Sequence, residues 1–119
     1  MSLPNEFDFS KISNAIADEH NIIECPVLVV KEQVVFPKVI MPLLCEGDIA
    51  LQICRDAIKN QKTVVVISPA KPDMTGIGLD IEMTVGTEIA IAQVVPMSGD
   101  TFSVLVEGRR RVMFNNYIH

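Results

Sequence analysis

At 119 residues the chain is the size of one domain, and an apolar share of 49% supports a core without disulfides or metals. A formal charge of -5 argues against the cationic face that nucleic-acid binding uses. No apolar run approaches the ~18 residues of a membrane helix, and the opening MSLPNEFDFS lacks the basic-then-apolar order of a secretory signal.

Residues 1–21 read as a weakly ordered lead-in. Within them Ser10 to Ala17 can make one or two helical turns, with Ile12 and Ile16 on one face. A helix of this length is marginal alone. From Cys25 to Pro42 the sequence CPVLVVKEQVVFPKVIMP sets Pro26, Pro37 and Pro42 among Val, Ile and Leu. Proline donates no ladder hydrogen bond, so it belongs at strand starts, edges or bulges. The expectation is short strands with fixed bends: Ile22 to Val30, then Val34 to Phe36 beyond the polar loop Lys31-Glu32-Gln33, then Val39 to Leu44. Phe36 is expected in the core.

Asp48 to Asn60 is a predicted helix. Ile49, Ala50, Ile53, Cys54, Ala57 and Ile58 share one side at the 3.6-residue period. Gly47 or Asp48 can cap its start and Asn60 can adopt the left-handed stop. Thr63 to Ser68 is a β-branched run of the kind covered on both faces. Residues 70–83 form a long connection holding Pro72, Gly76 and Gly78. Val85, Thr87, Ile89 and Ile91 alternate with Gly86, Glu88, Ala90 and Ala92. Phe102, Val104 and Val106 alternate with Ser103, Leu105 and Glu107. Joined by residues 96–100, these runs predict an antiparallel hairpin. Gly108 is expected to break the chain before a last strand over Arg111 to Tyr117. The total, about six strands and one main α-helix, predicts a mostly β or α+β domain whose sheet is closed or nearly so, a small barrel.

Three blocks in this order resemble the N-terminal substrate-binding domain of the Lon family of ATP-dependent proteases. Cys25 to Leu44 is similar to the family's LPVLPLRDVVVFPxMxxPL. Val85 to Val112, VGTEIAIAQVVPMSGDTFSVLVEGRRRV, is similar to its VGTxAxIxQ and DGTxxVLVEGxxRV. The predicted helix falls between them. Val29 replaces a usual proline, Lys31-Glu32 an Arg-Asp pair, and Cys25 a leucine. The resemblance implies a PUA-like β-barrel over residues 22–117. It also implies engagement of unfolded or damaged protein substrates and organisation of a homo-hexamer. ATP and Mg are expected only in an ATPase domain outside this chain, which has no GxxxxGK[ST] phosphate loop. A Ser-Lys protease dyad is likewise expected elsewhere, in a longer protein from which this domain is cut.

No catalytic, cofactor-binding or metal-binding residue is assigned. The histidines, His20 and His119, stand near the two ends, with nothing placed to orient a Cys-His pair. Cys25, Cys45 and Cys54 read as reduced core side chains of a cytoplasmic protein. The acids, Glu88 and Glu107 among them, read as solvated surface. In Arg109-Arg110-Arg111 the expectation is one rim arginine with two solvated ones. The family pattern implies a structural or contact part for Arg111. Met74, Ile77, Leu79, Met83 and Met97 make a candidate protein-binding surface, because loop methionines adapt to varied apolar segments. Alternative readings are an oligomerisation spacer, a standalone protein-interaction module of the same type, and an RNA-binding PUA-like domain. Acidity and an aromatic content of 5% weigh against the last.

Overall fold

A computed structural model describes residues 9–68 and 83–115. Strands β1 (Val27–Val29), β2 (Ile40–Glu46), β3 (Val64–Ile67), β4 (Met83–Pro96) and β5 (Thr101–Asn115) form one sheet, with helix α1 (Asp48–Asn60) between β2 and β3. The order across the sheet is β1-β3-β4-β5-β2. All neighbours pair antiparallel except β1 and β3, which run parallel with Leu28 opposite Val66.

The architecture is the expected mostly-β α+β domain with one helix, but the sheet is open and has five strands. Three local outcomes explain the difference. The run from Ile22 pairs only over Val27–Val29, after Pro26. Val34 to Phe36 is no strand among the described residues. Gly108 does not break the chain, so the two last predicted strands fuse into β5.

Alternation sorts the strands onto two faces. On the inner face Leu28, Leu43, Cys45, Val64, Val66, Ile89, Ile91, Phe102, Val104 and Val106 form the core with Cys54 and Ala57 of α1. The helix keeps its predicted bounds, because its apolar stripe of Ala50, Ile53, Cys54, Ala57 and Ile58 has the sheet to cover. Ile49, assigned to that stripe, is instead 80% exposed. The start has no side-chain cap, and the left-handed stop falls on Gln61 rather than Asn60. The β3 run is buried throughout, as its β-branched composition predicts.

Between β1 and β2 the chain crosses one end of the inner face. The Thr87 hydroxyl donates to the Val35 carbonyl. The Lys38 N–H donates to the Gly108 carbonyl at 2.8 Å, and the Gly108 N–H donates to the Val39 carbonyl at 2.9 Å. Gly108 is therefore a point of close backbone approach. Phe36, expected in the core, is 55% exposed. Pro42 lies on edge strand β2, where a missing donor costs nothing. Beside it the Gln33 amide donates to the Leu44 carbonyl and accepts from its N–H, both at 2.7 Å, like a one-residue strand.

Candidate functional site

The outer face of the sheet carries the unusual chemistry. It begins with small residues: Gly86, Ala90 and Ala92 alternate with the large inward residues of β4. Over Ala90, Ala92 and Leu105 pack Phe9 and Ile12 from the start of the described chain. Phe9 opens a single 3-10 turn (Phe9–Lys11), and beyond it Ser13 forms an isolated parallel bridge with Lys62. The helical pairing expected for Ile12 and Ile16 does not form: Ile12 is buried and Ile16 is 91% exposed.

A bulge in β5 equips this face with two arginines. Ile89 pairs with Gly108 and Glu88 with Arg110, leaving Arg109 as the extra residue. Strict alternation would send neighbours to opposite faces, yet Arg109 and Arg110 both reach the 9–15 segment. Arg109 donates to the Phe9 and Ile12 carbonyls and to Asn14 Oδ1, at 2.7 to 2.8 Å, while its Nε pairs with Glu107. Arg110 donates through Nε to Glu88 and through a terminal nitrogen to the Ala15 carbonyl, 2.7 Å away. Glu88 accepts the Ala15 N–H at 2.7 Å and the Thr63 hydroxyl at 2.5 Å. One peptide unit flank, the N–H and C=O of Ala15, is thus clamped by an acid and a base.

Glu88, read from sequence as solvated, is fully buried. Burial alone pushes its carboxyl up, but the Thr63 hydroxyl, the Ala15 N–H and the Arg110 guanidinium together hold it below the usual carboxylate range. Two of the three arginines are expected in solvent, but Arg109 and Arg110 are both engaged and half-buried, and Arg111 alone is exposed. Arg111 lies toward the other face, its guanidinium 5.3 Å from the Phe36 ring centroid and in reach of the Thr87 hydroxyl.

Magnitudes indicate how firmly the segment is held. Ordering the backbone of residues 9–15 costs on the order of 10 kcal/mol. Burial of Phe9 and Ile12 contributes about 5 kcal/mol. The charge-assisted bonds contribute roughly as much again. These opposing terms are of similar size. That docking is not visible in the sequence, because main-chain donors and acceptors leave no residue pattern.

Beyond the docked segment the outer face is apolar and open. By register Leu44 and Val95 flank Ser103, and Pro42 lies beside Leu105. Ile40, Leu44 and Val95 are 43%, 50% and 45% exposed. A cleft of about 680 Å³ lies on the other side of the segment, lined by Ile22, Cys25, Val65, Arg110, Val112 and Met113 among others.

Of the residues singled out from sequence, Met74, Ile77 and Leu79 lie outside the described residues. Met83 opens β4 with its backbone paired to Asn115. Met97 starts the β4–β5 turn and is 54% exposed. The sequence reading missed Thr63, Glu88, Arg109 and Arg110. One available pointer was Glu88 itself, a lone acid among glycine and alanine on one face of a strand. Among the described residues no three of His, Cys, Asp and Glu are grouped to hold a metal ion, and no helix is long and apolar enough to cross a membrane.

Cys45 and Cys54 are buried side by side in the core. The Cys45 sulfur and burial push the Cys54 thiol far up, and burial raises that of Cys25, whose S–H faces the Thr63 carbonyl. Because Cys45 and Cys54 are buried in the core, a thiol reagent at neutral pH is expected to spare both and to modify the half-buried Cys25 slowly. Reaction followed through a denaturant series should release the core thiols only with unfolding. Prompt labelling of Cys54 in the folded chain would contradict its burial.

Comparison with known proteins gives this architecture a context. Residues 24–119 match the family model described as the ATP-dependent protease La (LON) substrate-binding domain. The chain is 30% identical over 95 residues to a Lon protease of Vibrio parahaemolyticus, covering 80% of this chain and 12% of that protein. It is 29% identical over 89 residues to the Lon protease of Escherichia coli K12, covering 75% and 11%. It thus spans about one-eighth of the length of such relatives. Among solved structures, a Lon N-terminal domain protein from Xanthomonas campestris is similar with a TM-score of 0.50 and 18% identity, over 73% of this chain and 46% of that one.

Proposed function

Since the chain belongs to the family of Lon substrate-binding domains, we propose that it is a non-catalytic module holding exposed apolar stretches of unfolded or damaged proteins for a cytoplasmic ATP-dependent protease. The observation that carries this reading is the open apolar strip of Ile40, Pro42, Leu44 and Val95 on the outer face of the sheet. Single large side chains at a protein surface are ordinary, but a same-face row beside a docked segment of the chain is a contact surface. Met97 at the hairpin turn extends the reading, as does the sequence-derived set Met74, Ile77, Leu79 and Met83.

In this proposal ATP hydrolysis, with its Mg, and peptide-bond cleavage by a Ser-Lys dyad belong to other domains of a longer protein. Assembly as a homo-hexamer places several copies of a weak site around one entrance and raises the effective concentration of each for a chain already held by another.

The test is a titration of the chain with one protein in its unfolded and its native form. Binding is expected for the unfolded form alone. Leu44→Asp, an exposed change that leaves the Gln33 contacts to the Leu44 backbone available, is expected to weaken it by about tenfold, since a charge replaces apolar contact. Equal binding of both forms, or of neither, overturns the proposal.

A further inference from the structure

We infer that the outer face of the sheet is a track for polypeptide that reads main chain, and that residues 9–15 of this chain occupy it in cis as a displaceable competitor. The inference rests on the reading of the domain as a binder of unfolded protein and names the site and its regulation.

The contacts holding the segment are those a generic peptide can supply. Arg109 takes the carbonyls of Phe9 and Ile12. Glu88 and Arg110 take the N–H and C=O of Ala15. Ser13 forms a parallel bridge with Lys62. The Asn14 Oδ1 contact with Arg109 is a polar contact that does involve an occupant side chain. Side-chain demand reduces to two apolar groups three residues apart, Phe9 and Ile12, seated over alanines. Sheet edges take up peptides of varied sequence through main-chain hydrogen bonds with pockets for side chains; here Glu88, Arg109 and Arg110 make the main-chain bonds from the face of the sheet.

Occupant and track are also separable along the chain. Thr63, Glu88, Ala90, Arg109 and Arg110 all fall within residues 24–119 that match the substrate-binding family, whereas the docked segment precedes them. The track continues into the open strip, because Leu105 under the segment pairs with Pro42 of β2. A longer chain can therefore follow the same face past the end of the docked segment. A tethered competitor acts at an effective concentration of about millimolar. It excludes short or weakly apolar peptides and yields to long ones that also engage the strip.

The test uses the whole chain carrying Phe9→Asp with Ile12→Asp, which frees the segment. The probe is a fluorescent peptide of residues 9–17, FSKISNAIA. We expect it to bind the double variant at least about tenfold more tightly than the parent. The same peptide N-methylated at the alanine matching Ala15 should lose at least about tenfold, because the peptide then has no N–H to donate to Glu88 and the methyl group meets its carboxylate. A Lys11→Glu change in the peptide should leave binding intact. Equal binding to variant and parent, or indifference to N-methylation, overturns the inference. Should the double variant not fold, amide exchange in the parent decides. The Ala15 amide is expected to exchange at least about 100-fold faster than that of Ile91, and equal rates overturn displaceability. Peptide binding to the variant without any capture of unfolded protein would sustain the track and remove the proposed function. Capture of unfolded protein by both chains equally, without peptide binding, would do the reverse.

Discussion

Replacing Gly108 with alanine is expected to destabilise the chain by about 3 kcal/mol or more, the largest loss we anticipate from adding one methyl group. A Cβ at this position would lie 2.1 Å from the Phe36 carbonyl oxygen and 2.9 Å from its carbon. Neither atom is the free end of a side chain. Both belong to the crossing strand of backbone that exchanges hydrogen bonds with Gly108 through Lys38 and Val39. Relief of the clash therefore breaks those bonds, and the two costs fall together. Thermal unfolding should drop by on the order of 15 °C. Two other glycines calibrate the effect. At Gly86 a Cβ would meet the Val65 Cγ1 at 2.8 Å and the Val66 carbonyl oxygen at 2.9 Å, so Gly86→Ala should cost less. At Gly99, in open space with φ of +67°, only left-handed strain remains, about 1 kcal/mol. A Gly108→Ala chain as stable as the Gly99→Ala chain would show that residues 35–39 do not lie against β5.

Glu88→Gln is expected to cost about 2–4 kcal/mol at neutral pH, because it keeps the shape but removes the charge that Arg110 faces. The Thr63 hydroxyl and Ala15 N–H can still donate to the amide oxygen, so the loss isolates the ion pair. The pH dependence follows from the direction of the shift. The folded chain holds this carboxyl below its ordinary value. Its contribution is therefore complete above the unfolded value of about 4.3 and is lost as pH falls through the lower folded value. Denaturant midpoints measured from pH 7 downward should approach one another for parent and variant, and nearly meet once Glu88 is protonated. A gap that stays constant into strong acid would assign the loss to packing rather than charge.

Much of the fold was legible because it rests on local patterns. The helix period over residues 48–60, the β-branched run near residue 65 and the alternation on either side of residue 98 each specify an element and its buried face. Closure of the sheet was not legible. Whether Ile22 to Val39 pairs or crosses depends on the hydrogen bonds of Gly108 with Lys38 and Val39, partners distant in sequence. The site was hidden for a related reason. Arg109 and Arg110 look solvated in a run of three arginines, and only the bulge after Gly108 brings both onto one face. Glu88 was in plain view between Thr87 and Ile89, but its burial depends on Ala15, a residue 73 positions earlier.

The side-chain amide of Gln33 on the Leu44 backbone, with Pro42 two residues before it, has a bearing on solubility. An exposed ladder end is a seed onto which stray strands add, layer upon layer, toward fibrils. Here the outermost strand offers a blank at one position and an already satisfied pair at the next. Under the function proposed above, a module that gathers sticky chains thus keeps its own border from becoming the template on which they aggregate.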